Sequence, residues 1–105
     1  MSRLTKNYRE SLLEALQDPQ EAAEYLTAAL EDGDSAIFLL ALRDVADARG
    51  MSTLAAKAQL NRENLYRMLS EKGNPEVNTL NAVLDALGFT LSIKRRSKSQ
   101  NKTAA

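Results

Sequence analysis

The sequence predicts an all-α fold of five to six short helices, followed by one short C-terminal strand. Three observations carry this. Apolar residues recur at helical spacing over most of the chain. Helix-capping residues and glycines fall between those periodic runs. Only residues 89–94, Phe-Thr-Leu-Ser-Ile-Lys, alternate with period two. The 105 residues suit one domain, read as residues 1–94, with residues 95–105 as a disordered basic tail.

Taken in order, residues 1–7 read as an extended arm. Tyr8, Leu12, Ala15 and Leu16 are spaced for a short helix ending near Gln17. Asp18-Pro19-Gln20-Glu21 restarts the helix: Asp18 as N-cap, Pro19 in the first turn, Glu21 at capping-box spacing. The second helix shows Ala22, Tyr25, Leu26, Ala29 and Leu30 on one face. Asp32-Gly33-Asp34 ends it, with Asp34 capping the next. The third helix, about Ser35 to Arg49, is apolar almost all round at its start. It is therefore the expected central element, buried on more than one side, and Gly50 ends it.

Residues 52–70 read as two short helices joined by a tight turn. Ser52 is the expected N-cap of the first, with a narrow seam of Leu54, Ala55 and Ala58. Gln59-Leu60-Asn61 breaks the pattern, and Asn61 caps the second helix. Leu65, Met68 and Leu69 point one face inward, leaving Arg62, Glu63, Tyr66, Arg67 and Ser70 outside. A small-residue helix packed under one with long polar side chains is how a helix-turn-helix presents its recognition helix to the major groove. The plainer alternative is a helical hairpin with a solvated polar face. Residues 71–75 form a loop carrying Lys72. A last helix, about Thr79 to Leu87 within the segment 77–94, has Leu80, Val83, Leu84 and Leu87 on one face and Gly88 as its cap. The strand that follows has no partner within the chain. Either it pairs with its own copy across a two-fold axis, or it is coil that lays Phe89, Leu91 and Ile93 on the core.

Composition narrows the function. With neither cysteine nor histidine, disulfides, thiol chemistry, the usual zinc sets and His-based catalytic dyads are excluded. Acidic pairs at helical spacing, Asp44 with Asp47 and Glu21 with Glu24, read as surface charge: no phosphate-binding loop or metal cluster accompanies them, and the chain is not expected to be an enzyme. No base-stacking aromatic platform suggests RNA. No apolar run approaches a membrane span, and no signal peptide is visible, so a cytoplasmic protein is expected, with no membrane partner. Net charge is zero but polarised. Residues 1–50 hold five Lys/Arg against ten Asp/Glu, a net −5. Residues 51–105 hold nine against four, a net +5, and the sign changes where the helix-turn-helix begins.

On this basis Arg62, Glu63, Tyr66 and Arg67 are candidates for reading bases, Arg through guanine O6 and N7 and Glu through cytosine N4. Tyr66 is equally suited to packing beside the turn. Thr53, Lys57, Asn64, Lys72 and Asn74 are candidates for phosphate contact. Lys94, Arg95 and Arg96 are placed to add non-specific affinity. Phe89, Leu91 and Ile93 are the candidate dimer contacts.

The stretch from Gly50 to Ile93 resembles the Cro/C1-type helix-turn-helix, a lambda-repressor-like DNA-binding domain. The whole chain resembles the addiction-module antidote proteins, the HigA-like antitoxins. The resemblance is carried by Tyr8, Leu12, Asp18-Pro19 and Tyr25-Leu26, and by Phe38-Leu39-Leu40-Ala41-Leu42-Arg43-Asp44-Val45. It extends through Asn61-Arg62-Glu63-Asn64-Leu65-Tyr66-Arg67-Met68-Leu69-Ser70, Gly73-Asn74-Pro75 and Leu84-Asp85-Ala86-Leu87-Gly88-Phe89. One departure is Gln59, where the family usually has glycine. The resemblance implies a homodimer that binds double-stranded operator DNA in its own promoter. It also implies a cognate toxin, a small basic ribonuclease encoded alongside, and calls for no cofactor. The acidic half offers a reason for such a partner: Glu10, Glu14, Glu21 and Glu24 form the candidate toxin-binding surface. A phage-type transcriptional repressor with no toxin partner is the alternative that the same helix-turn-helix would serve.

Overall fold

The computed structural model describes residues 2–96, with side chains from residue 8 onward. Six helices follow one another: α1 (Ser2–Ala15), α2 (Pro19–Glu31), α3 (Ser35–Arg49), α4 (Met51–Ala58), α5 (Arg62–Met68) and α6 (Val77–Leu87). The expected arm is instead the first part of α1. Nothing between Ser2 and Ala15 breaks a helix, since that stretch has neither glycine nor proline. The expected strand is absent too. Residues 89–96 form no ladder, because a single segment finds no edge to pair with. Instead Phe89 N–H donates to Leu84 O at 2.8 Å, closing α6 around the left-handed Gly88 and turning the Phe89 ring onto the core. The remainder of the basic tail, residues 97–105, lies outside the described residues.

Most caps form as the sequence indicates. Asp18 Oδ1 accepts from Gln20 N–H and Asp34 Oδ1 from Ala36 N–H, each at 2.9 Å. Asn61 Oδ1 takes two first-turn amides, Glu63 N–H at 2.7 Å and Asn64 N–H at 3.2 Å. Two expectations fail. Asp18 N–H donates to Ala15 O, so the amide a Glu21 capping box would use is already engaged. Ser52 is no cap, because α4 starts two residues earlier than that cap requires, directly from the positive-φ Gly50. Gln59 does take the left-handed conformation that favours glycine, at φ 57° and ψ 45°.

The chain is organised around α3, which packs on α1, α2 and α4; α4 in turn carries α5 and α6. One buried cluster runs from Leu16 through α2 to α6, with the partly buried Leu12 of α1 packed against it and Leu16, Leu42, Val45, Leu65, Leu69 and Val83 sealed from solvent. Each such side chain contributes about 1.5–3 kcal/mol on burial. The apolar surface of α3 exceeds what its neighbours cover: Ile37 and Leu40 remain exposed, as do Leu30 on α2 and Tyr8 on α1. A polar cluster fastens the first three helices to one another. Arg9 from α1 donates to Asp44 at 2.7 Å and to Asp47 at 3.0 Å, and Tyr25 Oη from α2 donates to Asp44 at 2.6 Å. The acidic pair Asp44 and Asp47 thus has a structural partner. Burial, and then the hydrogen bond to Asp44, push the Tyr25 phenol up to about 12. At the far end, Arg49 Nη1 donates to Leu87 O at 3.3 Å and its guanidinium lies 5.7 Å from the Phe89 ring centre, tying the ends of α3 and α6 together.

Candidate nucleic-acid interface

The geometry of the α4–α5 pair begins at the turn. Gln59 N–H donates to Ala56 O and Leu60 N–H to Ala55 O, so the chain closes α4 and reverses within three residues. Asn61 then starts α5 at once. Leu65 and Leu69 anchor α5 with no exposure, Met68 is half-buried beside them, and the opposite side is left to water. Of the sequence-predicted contact residues, Thr53, Lys57, Arg62, Glu63, Asn64, Arg67, Lys72 and Asn74 are all exposed, and Tyr66 is half-buried.

Four of them come together. Asn64 and Arg67 from α5 and Lys72 and Asn74 from the following loop line one open cleft of about 420 Å³, floored by Leu65 and Met68. The loop owes its course to Gly73. A Cβ there would stand 1.9 Å from Met68 O, so only glycine lets the chain fold back against the end of α5. Gly73 N–H donates to Ser70 O at 2.9 Å, and Ser70 Oγ to Arg67 O at 2.8 Å, completing the turn.

Arg62 and Tyr66 share a second location. The Tyr66 ring packs on the core and carries two guanidiniums, Arg43 at 5.1 Å and Arg62 at 5.6 Å from its centre. Packing, one of the two roles open for Tyr66, is therefore realised. Arg43 of α3 is the residue that reading the two-helix segment alone misses. The available signal was that it is the one Lys or Arg between Arg9 and Arg49. Among the described residues, none of Arg43, Lys57, Arg62, Arg67 and Lys72 makes an ion pair, whereas Arg9 and Lys94 do. Thr53 and Lys57 do not line the cleft. Glu63 sits in the first turn of α5, where the helix dipole favours its charge without any ligand.

The other candidate residues are spread out. Phe89 is half-buried on the core, Leu91 is 40% exposed and Ile93 is fully exposed at 101%. Glu10, Glu14, Glu21 and Glu24 are exposed on α1 and α2, with Glu24 accepting from Gln20 Nε2 at 3.0 Å. Among the described residues, no helix is long and apolar enough to cross a membrane.

Comparison with known proteins identifies one family. The family model described as probable addiction module antidote protein matches residues 6–95. A protein of Haemophilus influenzae, itself uncharacterised, is 37% identical over 82 residues, which cover 78% of this chain and 84% of the relative. No solved structure matches significantly. The match runs from within α1 through the cleft to the segment after α6, and the chain therefore belongs to the family of probable addiction module antidote proteins.

Proposed function

We propose that this chain is the antitoxin of a two-component, type II toxin–antitoxin module. It neutralises a small basic toxin, a ribonuclease, by direct binding, and it represses its own operon by binding operator DNA through α4–turn–α5 as a helix-turn-helix of lambda-repressor type. It is a binding protein of the cytoplasm rather than an enzyme. The observation that carries the DNA half is the cleft at the end of α5, where Asn64, Arg67, Lys72 and Asn74 converge with both cations unpaired among the described residues. The family's description supports the toxin half.

In this reading Arg62, Glu63 and Arg67 reach base edges, and Thr53, Lys57, Asn64, Lys72 and Asn74 hold phosphates. Tyr66 acts as a platform: its ring, fixed to the core and backed by Arg43, restrains Arg62 before DNA arrives. The active form is a homodimer, held through the exposed apolar residues of the C-terminal segment, Leu91 and Ile93, beside Phe89. Glu10, Glu14, Glu21 and Glu24 attract the toxin, chiefly by speeding its association. Two assays test the toxin half and the assembly. Reversing Glu14, Glu21 and Glu24 to Lys loses neutralisation in a co-expression growth assay while operator binding persists. Sedimentation at micromolar concentration gives a dimer. Full protection by the triple variant refutes the acidic docking surface, and a monomer refutes the assembly.

A further inference from the structure

The exposed apolar surface of α3 is not scattered. Ile37, Leu40 and Ala41 of α3 face Tyr25, Ala28 and Ala29 of α2 across an open groove of about 390 Å³, with Asp32 and Asp44 also on its lining. Each side contributes a stripe at i, i+3, i+4, i+7: residues 25, 28 and 29 of α2 with its C-cap residue 32, and residues 37, 40, 41 and 44 of α3. Alanines make a low floor, while Tyr25, Ile37 and Leu40 are its bulky residues. The two aliphatics are 44% and 40% exposed. Seven residues of rise make the groove about 10 Å long, enough for about two turns of a docked helix.

Charge selects the occupant. From Asp18 to Leu42 the chain carries six carboxylates and no Lys or Arg. Asp44 is already bonded to Arg9 and Tyr25, but Asp32 makes no ion pair among the described residues. Lys94 from the C-terminal segment reaches Glu31 at 3.5 Å, so the acidic end of α2 already draws a cation from elsewhere in the chain, although Glu31 itself does not line the groove. An acidic partner would be repelled, and a second copy of this groove would bring like charges together.

We propose that the α2–α3 groove docks an amphipathic helix of a basic protein partner. Apolar side chains one turn apart would lie between Tyr25 and Ile37–Leu40, with a Lys or Arg reaching Asp32. The partner's identity as the toxin rests on the antitoxin reading, whereas the groove's preference for a basic amphipathic helix does not. The groove also adds to the acidic surface of α1 and α2 an apolar contact capable of slowing dissociation, which exposed charges alone do little to provide.

The test uses the full chain and its Ile37→Glu/Leu40→Glu variant. Both positions are exposed, and circular dichroism confirms that the fold persists. Two probes are titrated: the small basic protein encoded beside the gene, and a synthetic Leu/Lys amphipathic helix of about 15 residues, long enough to hold helix. A Leu/Glu peptide of the same pattern is the control. Binding of the neighbouring protein that weakens about ten-fold or more in the variant supports the proposal. Equal binding by both chains overturns the groove and leaves the antitoxin reading intact. If the neighbouring protein does not bind the native chain, the antitoxin reading fails and the peptide decides the groove. Amide NMR shifts confined to Tyr25, Ala28, Ile37 and Leu40, lost in the variant and absent with the Leu/Glu peptide, uphold it; shifts elsewhere, or none, overturn it. Conversion of a native dimer to monomer by the double substitution makes the groove a self-interface and also overturns it. So do shifts of the groove amides on deleting residues 97–105, because the occupant is then the chain's own tail.

Discussion

Replacing Gln59 by glycine should stabilise the protein, and the structure allows the size of the effect to be worked out. Gln59 is the one non-glycine residue at positive φ among the described residues, and it sits in the turn that sets α5 against α4. Its exposed side chain makes no hydrogen bond among the described residues; the turn is held by main-chain bonds that glycine would keep. The substitution therefore isolates backbone strain. Holding an L-residue in the left-handed region costs about 1–2 kcal/mol. Glycine gives back roughly 0.5–1 kcal/mol through the greater freedom of its unfolded chain. The expected net gain is about 0.5–1 kcal/mol, or ~3–6 °C in Tm for a chain of this size. Urea denaturation should show a higher midpoint at unchanged slope. Gln59→Val, which adds β-branching at the same φ, should move the midpoint the other way. A neutral or destabilising Gln59→Gly would mean that the turn is not strained and that its left-handed geometry is wrong.

Gly73→Ala should distort the loop after α5, since its Cβ meets Met68 O; expected are a loss of about 1–3 kcal/mol and weaker DNA binding through misplaced Lys72 and Asn74, read by thermal melting and mobility shift. Asn61→Ala removes the acceptor for two α5 amides and should cost ~1 kcal/mol by denaturant titration. Tyr25 gives a pH signature. Its pKa is higher in the folded chain, at about 12, than the usual 10.0, so the folded state holds the proton more tightly; this stability is complete below about pH 10 and is lost as pH rises toward 12. Tyr25→Phe should lower stability at neutral pH by about 1 kcal/mol, through loss of the bond to Asp44, and should flatten the fall between pH 10 and 12.

Helices with strong local punctuation were legible from sequence. Asp18-Pro19, Asp34, Asn61 and Gly88 each act within a few residues of where they stand, and each is found at a helix end. The failures came where the outcome depended on distant partners. Alternation at residues 89–94 specifies which side chains share a face, but a strand also requires an edge to pair with, and the described residues supply none. The apolar run at the start of α3 shows how much surface wants burial. It does not show that α1, α2 and α4 leave the Ile37 and Leu40 side open. At the candidate interface, helical spacing separated the buried Leu65 and Leu69 from the polar side. The Arg43–Tyr66 stack joins residues 23 positions apart and had no local signature. Nor did the convergence of Lys72 and Asn74 on Asn64 and Arg67, which depends on the close passage of Gly73 beneath Met68.

Fluorescence anisotropy on the DNA upstream of the chain's own operon decides whether α5 is a recognition helix. The native chain should bind a palindrome there, with half-site centres about 34 Å apart or a multiple of that, and about a thousand-fold or more tighter than random duplex at physiological salt. Arg62→Ala and Arg67→Ala should each cost ~1–3 kcal/mol on that site while leaving the fold intact. Lys72→Ala should weaken all sequences alike and lower the salt dependence by about one counterion. Equal affinity for upstream and random DNA, or full specific affinity in both arginine variants, would contradict the assignment.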